Sequence, residues 1–328
     1  MNKTGYGHEM ILAVSTQTVH HPRYRGRFAP SPTGPLHAGS LATALGSWLD
    51  ARSRGGQWLV RIEDLDTPRC VAGADRYILG QLRACGLFWD EEVSWQSEDQ
   101  KAYQNALEGL YCRSQIYACT CSRQTIANAL RIEGRLRPRN QEQVYPGTCR
   151  AAFTPQGDFS KEAHAVAWRI AVPPDQTIAF TDAELGPQKQ HLSQDVGDFV
   201  LRRADGVFTY QLAVVIDDGL QGITHIVRGA DLLSNTARQI YLQGVLGLPT
   251  PCYRHLPLVL DAHGEKLSKQ TLAGAINTNS VAAVLESLQT AALHLGLHSL
   301  KNTSAQTIAE WLAFATNAWV TRAPALRN

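Results

Sequence analysis

No apolar run in this 328-residue chain approaches the roughly 20 residues that a membrane-spanning helix needs, and the stretch 10–14 is too short for a secretory-signal core. Strong net charge is lacking as well: 31 Lys+Arg face 29 Asp+Glu, a formal +2. That excludes a protein that coats nucleic acid non-specifically, though a local basic face stays open. Internal repeats and low-complexity tracts are absent, which excludes solenoids and biased linkers. Seven cysteines are an odd number, and three of them crowd into one stretch with a spacing that suits metal ligation. Reduced thiols in the cytoplasm are the expectation, not a disulfide framework.

What is present is an ordinary globular composition, 44% hydrophobic and 18% charged. The length suggests about two packed units. Residues 1–22 show neither the helical nor the strand period and read as a flexible extension. A short strand is expected over 24–28, then the Pro/Gly turn 30–35. A helix follows in which Leu41, Leu45, Trp48 and Leu49 share a face until Gly55 and Gly56, and a strand over 58–62 comes next. Strand, turn, helix, strand is the order of a parallel βαβ unit, whose ligands sit at the carboxyl ends of the strands. Further helices are expected over 75–85, 101–114, 232–246, 281–295 and 305–314, and strands over 166–171, 199–203 and 223–227. Residues 131–143, rich in Arg, read as an exposed connection.

Two motifs carry chemistry. The turn from Pro30 to Ser40 joins a strand to a helix N-terminus, where backbone N–H groups and the helix dipole favour phosphate. His37 can donate to a phosphate oxygen, and Gly39 lets a nucleotide ring approach the backbone. Far downstream, Lys266, Ser268 and Lys269 lie in a short loop whose cations suit the negative charge of a phosphoryl transition state. Either motif alone has a bland reading, as a surface turn or a solvated lysine loop.

Together, His37-Ala38-Gly39-Ser40 resembles the HIGH signature and Lys266-Leu267-Ser268-Lys269-Gln270 the KMSKS signature of class I aminoacyl-tRNA synthetases. The segments 27–34, 61–66 and 227–233 are similar to the glutamyl-tRNA synthetase branch. Ser40 and Gln270 depart from the signatures, each altering one phosphate-loop contact. The resemblance implies an α/β fold: a Rossmann-like parallel-sheet nucleotide-binding domain over 23–270, interrupted by a zinc-bearing insertion at about 112–165 and followed by a helical remnant over 271–328. It implies ATP with Mg²⁺ and L-glutamate as substrates, and His37, Gly39, Lys266 and Lys269 as catalytic residues, with Ser268 also on ATP.

A glutamate pocket needs guanidinium forks for two carboxylates and an acid for the ammonium. By resemblance Arg27 holds the side-chain carboxylate, Glu63 pairs with the ammonium, and Tyr210 with Arg228 completes the pocket. Phe28, Ala29, Pro30 and Ser31 line it. Asp64 and Asp66 read as turn residues, and the Asp217-Asp218-Gly219 segment reads as a turn as readily as a site loop.

Cys119, Cys121 and Cys149 plus one more ligand would satisfy a structural tetrahedral Zn²⁺. The resemblance supplies Tyr145 as that ligand, while His164 is the more ordinary donor. Cys70, Cys85, Cys112 and Cys252 read as packing residues.

Only 58 residues follow the lysine loop, too few for a second nucleic-acid-reading domain of usual size. A short body of this kind resembles the glutamyl-tRNA synthetase-like family that transfers activated glutamate to queuosine at the wobble position of tRNA(Asp). A monomer acting on that tRNA is the expectation. The rival readings are a shortened synthetase charging the 3′ end of tRNA(Glu) and a non-catalytic RNA binder.

Overall fold

The chain segment Arg25–Phe28 forms β1 and Gln57–Ile62 forms β2, paired in parallel register with Arg25 opposite Gln57 and Phe28 opposite Val60. Between them α1 (Ala38–Arg52) is an Ala/Leu-rich run without proline, and Gly55, at φ 62°, turns the chain back into β2. These belong to a computed structural model that describes residues 23–138, 141–151, 153, 159, 165–259 and 274–322. Downstream lie α2 (Ala74–Ala84), β3 (Ser94–Trp95), α3 (Lys101–Cys112), β4 (Ile116–Cys119) and α4 (Arg123–Ile132). The middle of the chain supplies β5 (Ala167–Ile170), β6 (Thr177–Asp182), β7 (Gly186–His191), β8 (Phe199–Arg202) and α5 (Tyr210–Leu220). Last come β9 (His225–Gly229), α6 (Leu233–Leu246), β10 (Cys252–Leu256), α7 (Val281–His294) and α8 (Ile308–Thr321).

The sheet is parallel at its heart, as the βαβ pattern requires. β3 extends β2 on one side. On the other, Thr224 N donates to Arg25 O at 2.9 Å, which sets β9 beside β1. β10 then pairs in parallel with β9 and touches β6, and β7 closes that edge as an antiparallel hairpin. A separate antiparallel sheet, in the order β4-β5-β8, forms the inserted unit.

Two large apolar cores and two small ones result among the described residues. One large core lies between α1, the β1–β2 sheet and the two C-terminal helices, with Leu41, Leu45, Leu49, Trp58, Leu288, Trp311 and Ala315 all buried in it. The fit is close: a Cβ on Gly46 would stand 2.5 Å from Leu256 Cδ1. The other large core joins α3, α5 and α6 to the inserted sheet around Trp168 and Leu212.

Several expectations need correction. Residues 131–132 close a helix, and Arg137 is tied to the backbone oxygens of Gln194 and Asp195 at 2.8 and 2.9 Å, while most of the described Arg-rich stretch is exposed, as expected. α8 runs on to Thr321, well past 314. Asp217, Asp218 and Gly219 lie inside α5 and form no turn. Cys85 packs in a core as expected, but Cys112 and Cys252 are exposed. The extension 1–22 lies outside the described residues.

Candidate active site

The carboxyl ends of β1 and β2 carry two buried guanidinium groups that would repel each other in a dry interior. The sequence resolves this from α5: Asp218 accepts from Arg27 Nε and Nη2 at 3.0 and 3.2 Å and from Arg61 Nη2 at 2.8 Å. Burial raises the Asp218 pKa, but Arg27 and Arg61 outweigh it and hold the carboxyl below its ordinary range. Arg61 also reaches Glu63 at 3.3 Å and Gln221 at 2.6 Å. Asp217, one residue earlier, accepts from Tyr103 at 2.8 Å and Gln96 at 2.7 Å. Burial pushes Glu63 above the usual carboxylate range, with Arg61 and Arg27 pulling the other way. A substrate ammonium beside Glu63 would add to the pull of the two arginines and favour its ionised form.

Across from this cluster, Tyr210 Oη accepts from Arg228 Nη1 at 3.2 Å. Tyr210 feels the charges of Arg228, Glu63 and Arg27, which puts the four residues expected to hold glutamate within electrostatic reach of one another. Burial raises the Tyr210 pKa, which keeps the phenol protonated. Arg27 spends Nε and Nη2 on Asp218, leaving Nη1 for a ligand. The Phe28 ring stacks on Trp58, centroids 6.3 Å apart, inside the core, which leaves its backbone to line the pocket. Pro30 O accepts from Glu63 N at 3.0 Å, locking the turn that holds Ala29 and Ser31 to the end of β2.

His37 caps α1. Its Nδ1 accepts from Gly39 N at 3.1 Å and Ser40 N at 3.4 Å, while Ser40 Oγ accepts from His37 N at 2.8 Å. Two N–H groups that the sequence left open to phosphate are thus taken by the His37 ring, whose own proton is placed on Nε2. Ser40, the departure from the HIGH pattern, is the second half of a capping box. Lys266, Ser268, Lys269 and Gln270 lie outside the described residues. The chain that returns from that segment is tied here: Ala275 bridges His37, and Ile276 N donates to Leu36 O at 3.0 Å. Residues 275 and 276, a few positions beyond the lysine loop in sequence, therefore lie beside the His37 turn.

Asp66 accepts from Arg69 at 2.6 Å, a local bond in the turn after β2, whereas Asp64 accepts from Ser97 N and Oγ at 2.9 and 2.6 Å, 33 residues on, and ties that turn to the chain after β3. The sequence leaves Asp217 and Asp218 between a turn and a site loop, gives Arg61 no role beyond its place in the 61–66 segment, and does not single out His255, Asp182 or Thr236. A spacing of seven, two helical turns, puts Asp217 under Tyr210 and Asp218 under Gln211, and that period was the available signal. Arg61 sits two residues before Glu63 on the same face of a strand.

In the inserted unit the Sγ atoms of Cys119, Cys121 and Cys149 lie within 4.8 Å of one another. Tyr145 Oη stands 3.5 Å from both Cys119 Sγ and Cys121 Sγ and accepts from Cys149 N at 2.9 Å. Arg169 covers the Tyr145 ring at 4.0 Å. Burial opposes a Cys149 thiolate, but hydrogen bonds from Tyr145, the Thr120 backbone and the neighbouring thiols draw its pKa down to about 7. His164 lies outside the described residues.

A capped helix and the buried side chains of Arg27, Arg61 and Glu63 thus stand at the carboxyl edge of a parallel sheet, where α/β folds bind their ligands. Residues 23–306 match the profile of the class I tRNA synthetases (E and Q), catalytic domain, and the chain belongs to that family. Within it, the chain is similar to the glutamyl-Q tRNA(Asp) synthetase of Cupriavidus metallidurans, 53% identical over 93% of this chain and 94% of the relative. The glutamyl-Q tRNA(Asp) synthetase of Burkholderia cenocepacia strain HI2424 is also 53% identical, over 92% of this chain and 98% of the relative. Among solved structures, the glutamate tRNA ligase of Elizabethkingia meningosepticum in complex with its amino acid superposes with a TM-score of 0.65 at 32% identity. The match covers 76% of this chain, which spans about half (52%) of that ligase. Among the described residues no helix is long and apolar enough to cross a membrane.

Proposed function

We propose that this protein activates L-glutamate with ATP and transfers it to the queuosine base at the wobble position of tRNA(Asp). The observation that carries the activation step is the meeting of Arg27, Glu63, Tyr210 and Arg228 at the carboxyl edge of the sheet, beside the His37-capped helix. The tRNA step is supported by relatives of nearly the same length that are named for it.

In this reading Glu63 takes the substrate ammonium, Arg27 Nη1 and Arg228 take carboxylate, and Tyr210 keeps Arg228 in line. The α-carboxylate attacks the α-phosphorus of ATP and pyrophosphate leaves. His37 Nε2–H, with Lys266 and Lys269, offsets charge that grows on the phosphates. Mg²⁺ bound with ATP supplies further positive charge there. A queuosine hydroxyl then displaces AMP from the mixed anhydride. Neither step needs a covalent enzyme intermediate, so the protein's part is orientation and charge.

The test is transfer of labelled glutamate to RNA from cells that make queuosine and from cells that cannot. Label confined to tRNA(Asp) of the first pool is expected. Equal labelling of a glutamate tRNA in both pools would replace this reading with a shortened conventional synthetase.

Cys119, Cys121, Cys149 and Tyr145 would hold Zn²⁺ as a structural ion that ties β4 to the following loop. The donor set fits: tetrahedral bonds of about 2.3 Å to sulfur and about 2.0 Å to oxygen put neighbouring ligands about 3.5–3.8 Å apart. The Tyr145 contacts and the Cys121–Cys149 separation of 3.4 Å lie near that range. Metal analysis of protein purified without chelator should return about one zinc per chain, and Cys149→Ser should lower it by at least tenfold. Zinc-free wild type would remove the ion from the proposal.

A further inference from the structure

Arg228 is held from behind as well as by Tyr210. Its Nε donates to His255 Nε2 at 3.1 Å and its Nη2 to Thr236 Oγ1 at 2.8 Å. On the far side of the imidazole, His255 Nδ1 and Asp182 Oδ2 are 2.6 Å apart. All of these groups are buried, and the His255 side chain is 0% exposed. A guanidinium can only donate, so His255 Nε2 accepts from Arg228, which leaves the ring neutral with its proton on Nδ1, while Thr236 Oγ1, 3.0 Å from the same nitrogen, takes the Arg228 Nη2–H. Asp182 is the group that selects this tautomer. Its other oxygen, Oδ1, is pinned by three backbone donors: Glu184 N at 2.9 Å, Leu185 N at 3.0 Å and His255 N at 3.2 Å.

We propose that Asp182 and His255 are positioning residues for the substrate: they form a fixed line, Asp182–His255–Arg228, that aims the Arg228 guanidinium at the glutamate carboxylate. The inference rests on the assignment of Arg228 to glutamate made above. The pinned Oδ1 makes a particular substitution informative. In Asp182→Asn the amide oxygen keeps the three backbone N–H donors, so the NH₂ faces His255 Nδ1. The ring must then accept there and carry its proton on Nε2, where it opposes the Arg228 Nε–H. The side chain keeps its size, yet the line is broken at the substrate end.

Acid should break it in the same way. The charged and titratable groups facing His255 are Asp182 from β6, Arg228 from β9, Asp231 just beyond β9 and Tyr253 from its own strand. Burial and then Arg228 press its pKa below the ordinary value, against the pull of Asp182 and Asp231. The neutral, competent ring therefore persists below pH ~6.5 and is lost only as pH falls through the lowered value.

The experiment measures glutamate and ATP affinity by calorimetry, with thermal midpoints, for wild type, Asp182→Asn, His255→Gln and the double variant between pH 5 and 8. Asp182→Asn should weaken glutamate by about 10- to 100-fold, the loss of one charge-assisted hydrogen bond, and leave ATP within about twofold. His255→Gln puts an amide oxygen near the Nε2 position. It should keep glutamate within about fivefold, flatten the acid limb, and make Asp182→Asn nearly silent in the double variant. Unchanged glutamate affinity in Asp182→Asn, or equal losses for ATP and glutamate with only a lower thermal midpoint, would overturn the positioning role. Wild type without glutamate binding at any pH would overturn the functional reading and this inference with it.

Discussion

Asp218→Asn is expected to abolish glutamate-dependent pyrophosphate exchange and to lower the unfolding free energy by about 3–5 kcal/mol. The carboxylate is 3% exposed and serves two guanidinium groups, of which Arg27 is also 3% exposed and Arg61 is 1% exposed. An asparagine oxygen can accept from one of them but carries no charge, so two buried cations are left facing each other. Arg27 then swings from the place where its Nη1 would meet substrate. Urea unfolding read by linear extrapolation gives the stability loss, and a change below about 1 kcal/mol would show that solvent or neighbouring acids compensate. The pH dependence has a definite sign. The folded-state pKa of Asp218 is lowered, so its contribution is present above the unfolded value of about 3.9 and fades as pH falls through the lower folded value.

Glu184→Ala should be nearly as damaging to stability, by about 3 kcal/mol, without touching the substrate pocket. Its side chain is 0% exposed, accepts from Arg254 at 2.8 Å and holds Arg322, at the end of α8, at 2.7 and 3.0 Å. Alanine would leave both arginines without that acid, one of them only 4% exposed. Glu184→Gln, which keeps hydrogen-bond acceptance, should lose less. Equal denaturation midpoints for Glu184→Ala and wild type would show that this buried acid is not what joins the last helix to the β6–β7 hairpin.

Those two sites explain what could and could not be read from the sequence. β1, α1 and β2 were legible because their apolar residues repeat at the period of the element and a Pro/Gly turn separates them. Arg27, Glu63, Tyr210 and Arg228 were legible through their motifs. β10, with the sequence Cys-Tyr-Arg-His-Leu, was not: Arg254 and His255 look like surface residues until Glu184 and Asp182 are seen beside them. β7, Gly-Pro-Gln-Lys-Gln-His, shows no apolar alternation because it is an edge strand. Burial of a charge depends on partners distant in the chain, 73 residues away for His255 and 191 for Arg27. No local window contains that information. The same holds for Asp218, which reads as a turn from Asp-Asp-Gly and becomes the centre of the site only when α5 packs against β1 and β2.

The seating of the C-terminal helices on α1 has a consequence for synthesis. Trp319 Nε1 donates to Asp50 at 3.0 Å, a contact between residues 269 positions apart. At about 5–20 residues per second, the face of α1 around Asp50 waits roughly 13 to 54 s after its own synthesis before Trp319 is made to cover it. During that interval a nascent chain would present Leu41, Leu45 and Leu49 without the tryptophans that bury them, a substrate for holding chaperones. The core beneath α1 is therefore completed by a segment made 269 residues after Asp50, so its closure follows translation as well as the search for long-range contacts.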